Sequence, residues 1–403
     1  MKRLLWLLPI LFVAVTSAAP SFPQQGATAL STFLKGATDR GDVPGVVVAV
    51  VNKDGSLYNE AFGKSRTLTN TPAMKDTIFN MASMTKPVTS VAIMMLVDEG
   101  KLTLDDEVAK YVPKWKDPLV IAKFNEADSS FETRPAKRAI TIRHLLTHTS
   151  GIGYGFSSPM LTKIMQKTGK TELDSPLLFD PGESWAYGAS TRVLGHVVEA
   201  ISGQKIDAFL ESRILGPLGM RDTSYLMPPT KYSRVVAVNR RGADGTFVEQ
   251  PVPATIPAQV QGDGGLYGTA SDYGLFLRML LNRGKLGNTR ILSEKSAKTM
   301  LESHTGTVVV QPQESANQAL SRNFPLGALK DRWGLGFQLA AEKQSNRRTP
   351  GSGTWAGIFN THFFIDPSRE IGVAVMMQTL PFYDEASMKV YAGVEEAVYK
   401  NLK

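Results

Sequence analysis

Residues 80–100 read NMASMTKPVTSVAIMMLVDEG, and both the fold and the chemistry depend on this stretch. Ser83 and Lys86 stand three positions apart, Pro87 follows directly, and Gly100 closes an apolar helical run. Positions i and i+3 share one face of a helix, so the Lys86 amine can reach the Ser83 hydroxyl. The free N–H groups of a helix N-terminus favour negative charge beside the serine. The stretch therefore predicts a nucleophile at a helix start, with a candidate proton acceptor one turn further on.

A second Ser-x-x-Lys, from Ser202 to Lys205, offers a comparison within the same chain. It ends the helical pattern STRVLGHVVEAISG (190–203), and Gly203 breaks the spacing that would bring Lys205 beside Ser202. A helix C-terminus also carries partial negative charge, which opposes a developing oxyanion. We interpret this copy as structural, which leaves Ser83–Lys86 as the catalytic candidate.

The first residues have the pattern of an export signal. Lys2 and Arg3 precede the apolar run LLWLLPILFVAV (4–15), and small residues follow at the positions for cleavage after Ala18. The run is shorter than the roughly 18 apolar residues of a membrane-spanning helix. We predict a signal peptide at residues 1–18 and a periplasmic or secreted protein without a later transmembrane segment. The alternative is a single N-terminal anchor.

Composition and missing motifs argue against several other chemistries. The 403 residues are 42% hydrophobic and 20% charged, and the net charge of +8 has no Lys/Arg cluster typical of nucleic-acid binding. The chain has no cysteine, which excludes thiol catalysis and cysteine metal ligands. His144 and His148 have the spacing of a zinc helix, but Leu145 replaces the glutamate of His-Glu-x-x-His. The missing Gly-x-Ser-x-Gly argues against a Ser-His-Asp hydrolase of the α/β type, and no Gly-x-x-x-x-Gly-Lys phosphate loop is present. We expect neither a metal nor a cofactor.

Strand patterns lie at both ends of the chain, with helical patterns between them. The stretch GVVVAVVNKDGSLYNEAFG (45–63) predicts a hairpin that turns at Asp54-Gly55. Later strand patterns occupy segments 333–340, 359–366 and 370–378. An amphipathic helix is predicted within 383–402, with apolar residues at Val390, Tyr391, Val394 and Val398.

This order predicts the fold class α+β, with an antiparallel sheet from both chain ends flanked by helices and a mainly helical region inserted. Residues 19–403 are expected to form one domain, whose α/β part covers about 25–80 and 331–403 and whose helical part covers about 81–330. In the helical part, we predict a short helix from a Thr141 cap to Gly151 and another from a Ser271–Asp272 cap. The polar segment 311–325 is predicted to be a surface loop.

Three motifs in order resemble those of the serine β-lactamase and penicillin-binding-protein superfamily. The first is Ser83-x-x-Lys86, and the second is Tyr187-Gly188-Ala189, where β-lactamases have Tyr-x-Asn. The third is Trp355-Ala356-Gly357, in place of Lys-Thr-Gly. Matching segments run from about residue 40 to about 395, and the chain is most similar to the class C β-lactamase branch and its esterase relatives, the family VIII carboxylesterases.

The resemblance implies a β-lactamase-like fold and an acyl-enzyme on Ser83, with Lys86 and Tyr187 as base and proton relay. It implies an oxyanion hole from the N–H groups of Ser83 and Ile358, and substrate contacts from Trp355 and Gly357. Ala189 replaces the amide that contacts a β-lactam side chain, and Trp355 replaces the cation that binds its carboxylate. Both replacements remove polar recognition of a β-lactam. An apolar site discriminates weakly among substrates, so we expect a permissive esterase with poor β-lactam turnover.

The expected substrate is a small short-chain or aryl ester, with no obligate protein partner. Three alternatives to the esterase stay open. The first is a β-lactamase or D-alanyl peptidase, and the second is an acyltransferase to another alcohol or amine; both would use the same acyl-enzyme. The third is a non-catalytic wall-binding protein on the same scaffold, against which the three retained catalytic residues argue.

Overall fold

The structure is a computed structural model that describes residues 20–256 and 258–403. The segment predicted to be a signal peptide, residues 1–18, lies outside the described residues. No helix in the described ranges is both long and apolar enough to cross a membrane.

Short and long strands alternate with helices along the chain. The strands are β1 (Gly45–Asn52), β2 (Ser56–Arg66), β3 (Thr71–Pro72), β4 (Phe79–Asn80), β5 (Leu119–Phe124), β6 (Phe131–Pro135), β7 (Val238–Arg241), β8 (Phe247–Gln250), β9 (Tyr267–Gly268), β10 (Lys285–Leu286), β11 (Thr289–Arg290), β12 (Arg332–Trp333), β13 (Gln338–Leu339), β14 (Gly353–Gly357), β15 (Thr361–Asp366), β16 (Ile371–Met376) and β17 (Thr379–Leu380). The α-helices are α1 (Gln24–Asp39), α2 (Thr85–Asp98), α3 (Ile142–Leu146), α4 (Pro159–Thr168), α5 (Ser190–Ser202), α6 (Ile206–Leu210), α7 (Gly216–Leu218), α8 (Ala270–Leu281), α9 (Glu294–Thr299) and α10 (Glu385–Asn401).

The predicted α+β fold is confirmed by an eight-stranded sheet in the order β12-β13-β14-β15-β16-β1-β2-β3. All of its neighbouring strands pair antiparallel, and β1 from the N-terminal part lies between β2 and β16. The chain ends therefore build one sheet together, as the separated strand patterns predicted. The sheet therefore contains both β14, from the C-terminal part of the chain, and β1–β3, which precede α2.

The sheet carries a hydrophobic core on each face, because side chains alternate along a strand. On β1, Val46, Val48 and Val50 pack in the cluster that also contains apolar residues of α1 and α10. Val47 and Ala49 face the other way, into the large core shared with α2, α5 and α8. The sheet is thus covered on both sides, which explains why β1 is an almost unbroken run of valines.

The predicted hairpin and closing helix are confirmed. Asn52 orders the turn between β1 and β2, since its side-chain oxygen accepts from the N–H groups of Asp54 (2.9 Å) and Gly55 (2.8 Å). Helix α10 begins at a cap from Asp384, and its predicted apolar residues are all buried.

Local boundaries differ in several places. The cap of α8 is Thr269, whose hydroxyl accepts from the Asp272 N–H, so the predicted Ser271–Asp272 cap is wrong. Thr141 caps α3 as predicted, but that helix ends at Leu146 and not near Gly151. Helix α2 is buried all round over its first twelve residues. The central region also contains the hairpin of β5 and β6.

Candidate active site

Ser83 lies in a single 3₁₀ turn, Ala82–Met84, directly before α2. Ala82 has the left-handed φ of 44°, which is unfavourable for a residue with a side chain. The Asn80 side chain holds this conformation by accepting from the Ala82 N–H (3.0 Å). Since α2 is packed on every side, the turn that carries Ser83 has a rigid support.

The structure brings together Ser83, Lys86 and Tyr187, the three residues predicted to be catalytic. The Lys86 Nζ lies 3.0 Å from the Ser83 Oγ, and the Tyr187 hydroxyl lies 2.6 Å from the same oxygen. Lys86 and Tyr187 are both buried. The serine oxygen is therefore within hydrogen-bond distance of a buried amine and a buried phenol.

Lys86 is surrounded by groups that were not predicted. Its Nζ lies 2.7 Å from the Asp263 main-chain oxygen and 3.2 Å from the Tyr154 hydroxyl. Tyr154 in turn donates to the Asp263 carboxylate, which also accepts from the Arg192 Nε at 3.1 Å. Burial lowers the pKa of Lys86 to about 7, an effect that the Asp263 charge opposes and the Arg192 charge reinforces. A large fraction of Lys86 is thus a neutral amine at neutral pH.

Tyr187 remains a neutral phenol under the same conditions. Burial raises its pKa well above the usual range, although hydrogen bonds to Ser83 and Trp355 act in the opposite direction. Its main-chain N–H donates to the Gln313 side chain (3.0 Å), and its ring lies 5.7 Å from that of Phe324. The sequence left the base unassigned between the two residues, and the pKa directions favour Lys86.

The third motif lies beside the turn of Ser83. Gly357 ends β14 in a position where a Cβ would overlap the Met81 main-chain oxygen and the Thr361 hydroxyl. Only glycine permits this approach of the strand to the turn. Ile358 follows at the start of the connection to β15 and borders the same cavity as Ser83. Trp355 is buried and donates its indole N–H to the Tyr187 hydroxyl (3.3 Å).

The cavity at Ser83 has a volume of about 240 Å³ and is lined by two kinds of side chain. The aromatic lining residues are Tyr154, Phe156, Tyr187, Trp355 and Phe382. The charged and amide lining residues are Glu172, Arg192, Gln261 and Asp263. Ala189, which occupies the asparagine position of the second motif, is buried as the N-cap of α5 and does not border this cavity.

The segment 311–325 forms the predicted surface loop, without helix or strand and with most of its side chains exposed or half-buried. Gln313 and Phe324 are exceptions, since both are buried and contact Tyr187. The Gln313 side chain turns inward and satisfies a buried main-chain N–H.

Two other candidates from the sequence have structural roles. The hydroxyl of Ser202 accepts from the Gln204 N–H, and the amine of Lys205 lies 3.9 Å from Glu199 on the surface. The His144 ring accepts from the Thr141 N–H in a capping box, whereas His148 packs among Trp185, Tyr187 and Trp333. No group of three potential ligands converges as a metal site would require in the part of the chain that the structure describes.

Comparisons with known proteins agree with this architecture. A lovastatin esterase of Penicillium rubens is 28% identical over 385 residues, covering 87% of this chain and 93% of its own. A monacolin J acid methylbutanoyltransferase of Aspergillus terreus is 27% identical over 407 residues, covering 92% and 95%. The solved structure of a mutant of the simvastatin synthase LovD from Aspergillus terreus superposes with a TM-score of 0.81 at 26% identity, covering 94% of this chain and 95% of that chain.

The beta-lactamase family model matches residues 30–396, which includes all three motifs. The predicted family and the β-lactamase-like fold are therefore confirmed. Its relatives include esterases and acyltransferases. The chain belongs to the beta-lactamase family of serine enzymes.

Proposed function

We propose that this protein is a serine hydrolase that cleaves small carboxylic esters through an acyl-enzyme on Ser83. The observation that carries the proposal is the contact of one serine oxygen with both Lys86 Nζ (3.0 Å) and Tyr187 OH (2.6 Å) at a cavity. An amine with a pKa near 7 is suited to general-base catalysis at neutral pH. The esterase relative supports the choice of an ester as substrate.

The reaction has two half-reactions, acylation of Ser83 and hydrolysis of the acyl-enzyme. Neutral Lys86 takes the Ser83 proton as the serine oxygen attacks the ester carbonyl, and the main-chain N–H groups of Ser83 and Ile358 stabilise the oxyanion. The ester C–O bond breaks, and the leaving alkoxide receives a proton from the Lys86 ammonium, with the Tyr187 phenol as relay. Water then attacks the acyl-enzyme and gives its proton to Lys86. The bond between the acyl carbon and the Ser83 oxygen breaks, the Lys86 ammonium returns the proton to that oxygen, and the acid leaves.

The nature of the cavity favours esters over β-lactams. Trp355 occupies the position of the family's lysine and is one of the aromatic residues that line the cavity. The third motif therefore supplies no cation for a β-lactam carboxylate. Ala189 supplies no amide to a β-lactam side chain. Loss of both polar contacts weakens recognition of a β-lactam while leaving the Ser83–Lys86–Tyr187 contacts in place.

Acyl transfer is the second candidate, because a methylbutanoyltransferase is among the relatives. It uses the same acyl-enzyme and replaces water with another alcohol or amine in the second half. Addition of candidate acceptors to the ester reaction would reveal it as a product other than the free acid.

The central experiment compares Ser83→Ala with Ser202→Ala, the serine of the second Ser-x-x-Lys. We expect Ser83→Ala to lose p-nitrophenyl butyrate hydrolysis and labelling by a fluorophosphonate, and Ser202→Ala to retain both. Wild-type turnover in Ser83→Ala would refute the mechanism. A cephalosporin rate far above the ester rate would favour the β-lactamase alternative.

We also propose that the enzyme acts in the periplasm or outside the cell, on the basis of residues 1–18. N-terminal sequencing of protein recovered from the producing cells would test this. An N-terminus at Ala19 supports export, whereas an intact Met1 in the cytosol contradicts it.

A further inference from the structure

We propose that Tyr154 and Asp263 form a positioning pair that aims the Lys86 amine at Ser83, with Arg192 balancing the buried charge of Asp263. This inference rests on the proposed function, since it assigns Lys86 the role of base. Neither residue belongs to the three motifs, and both come from loops that reach the amine from different parts of the chain.

The direction of the hydrogen bonds around Lys86 carries the argument. The Asp263 main-chain oxygen can only accept, so Lys86 must donate to it across 2.7 Å. The Tyr154 hydroxyl donates its only hydrogen to the Asp263 carboxylate, and its oxygen therefore accepts from Lys86 across 3.2 Å. A neutral amine has two N–H groups and one lone pair. Both N–H groups are thus used, and the lone pair is left for Ser83 at 3.0 Å.

The loop that carries Asp263 is fixed by contacts on both sides. Thr89 of α2 donates to the Gly262 main-chain oxygen (2.6 Å), and Leu266 donates its N–H to Thr85 (3.2 Å). A Cβ on Gly262 would lie only 2.5 Å from the main-chain oxygen of Thr191 in α5, which is closer than van der Waals contact allows. The loop is therefore clamped between two helices, which fixes the Asp263 oxygen relative to Lys86.

The charges facing Lys86 have opposite effects on its protonation. Asp263 favours the ammonium, and Arg192 of α5 opposes it. The other titratable neighbours are Tyr154 and Tyr187, whose pKa values burial raises, and His148, whose pKa burial lowers. These three groups are neutral at neutral pH. Asp263 and Arg192 are consequently the pair whose substitution should move the Lys86 titration in predictable and opposite directions.

The test measures the rate of fluorophosphonate labelling of Ser83 against pH, together with ester kcat and KM. Asp263→Asn should move the acid limb to lower pH, because the carboxylate that favours the ammonium is gone. Arg192→Met should move it to higher pH, whereas Arg192→Lys keeps the cation and should restore the wild-type limb. Tyr154→Phe removes one hydrogen bond to Lys86 and should lower kcat by roughly tenfold. Because it changes no charge, the acid limb and KM should stay near their wild-type values.

Labelling separates this proposal from the proposed function, because it reports the reactivity of Ser83 whatever the natural substrate is. If esters are not cleaved but the acid limb moves as described, the positioning pair stands and the ester assignment fails. Shifts of Asp263→Asn and Arg192→Met in the same direction, or no shift in either, would overturn the pair. So would a Tyr154→Phe variant with wild-type labelling and kcat. Thermal unfolding of each variant excludes loss of the folded state as the cause.

Discussion

Trp355 donates its indole N–H to the Tyr187 hydroxyl across 3.3 Å, and their ring centroids lie 4.7 Å apart. The tryptophan thus occupies the family's lysine position and contacts a predicted catalytic residue directly. It orients the phenol and helps to stabilise negative charge on it, since its N–H lowers the pKa that burial has raised. We therefore expect Trp355 to act in the proposed reaction through Tyr187, in addition to lining the cavity.

Trp355→Phe tests this role. Phenylalanine keeps an aromatic ring against Tyr187 but removes the donor, so we expect kcat to fall about five- to tenfold with a smaller change in KM. Steady-state kinetics on a p-nitrophenyl ester measures both. Trp115→Phe, a buried tryptophan outside the cavity, serves as the matched control and should retain wild-type kcat. An unchanged kcat in Trp355→Phe would restrict the residue to packing.

The pKa of Lys86 predicts the acid limb of the pH profile. Burial disfavours the ammonium and lowers this pKa to about 7, so the active neutral amine accumulates as pH rises through that value. We expect kcat/KM to rise through about pH 7 and then level off, because the Tyr187 pKa lies far higher. Lys86→Arg keeps a cation without a usable lone pair and should lose roughly 10²- to 10⁴-fold at every pH. A limb that survives in Lys86→Arg would belong to another group.

The fold and the first pair of residues were accessible from sequence because they rest on local periodicity. A run of β-branched residues before the Asp54-Gly55 turn predicted β1, and the i, i+3 spacing of Ser83 and Lys86 predicted their contact, which the structure has at 3.0 Å. Order along the chain also predicted that strands from both ends share one sheet.

The surroundings of Lys86 could not be predicted in the same way. Asp263 lies 177 positions from Lys86, in a GDGG segment whose sequence matches no catalytic motif, and Tyr154 follows a loop without a helical or strand period. Their meeting depends on how α2 and α5 pack around the 262–266 loop. The burial of Gln313 was not predicted for a related reason, since the polar composition of the mostly exposed segment 311–325 does not show which side chain turns inward to satisfy a buried main-chain group.

Glu395 is expected to be important for stability. It is buried on α10, and its two carboxylate oxygens each lie 3.1 Å from a guanidinium, one of Arg347 and one of Arg348. Glu395→Gln removes the buried negative charge that pairs with both arginines, and we expect the free energy of unfolding to fall by about 3 kcal/mol. Urea denaturation measures the loss. The exposed neighbour Glu396→Gln should change it by less than about 0.5 kcal/mol, and equal effects of the two substitutions would contradict the role of the buried pair.

Gly357→Ala should reduce activity by moving β14 away from the Ser83 turn. A Cβ here would overlap the Met81 oxygen, so the strand must move away from the turn that carries Ser83, and Ile358 would move with it. A displacement of about 1 Å in a reacting group costs on the order of 100-fold, and we expect a loss of that size in kcat/KM. Gly55→Ala is the control, because that glycine lies in the β1–β2 turn with no atom close to an added Cβ and no left-handed φ. Full activity in Gly357→Ala would show that the approach of β14 to the Ser83 turn does not control the reaction.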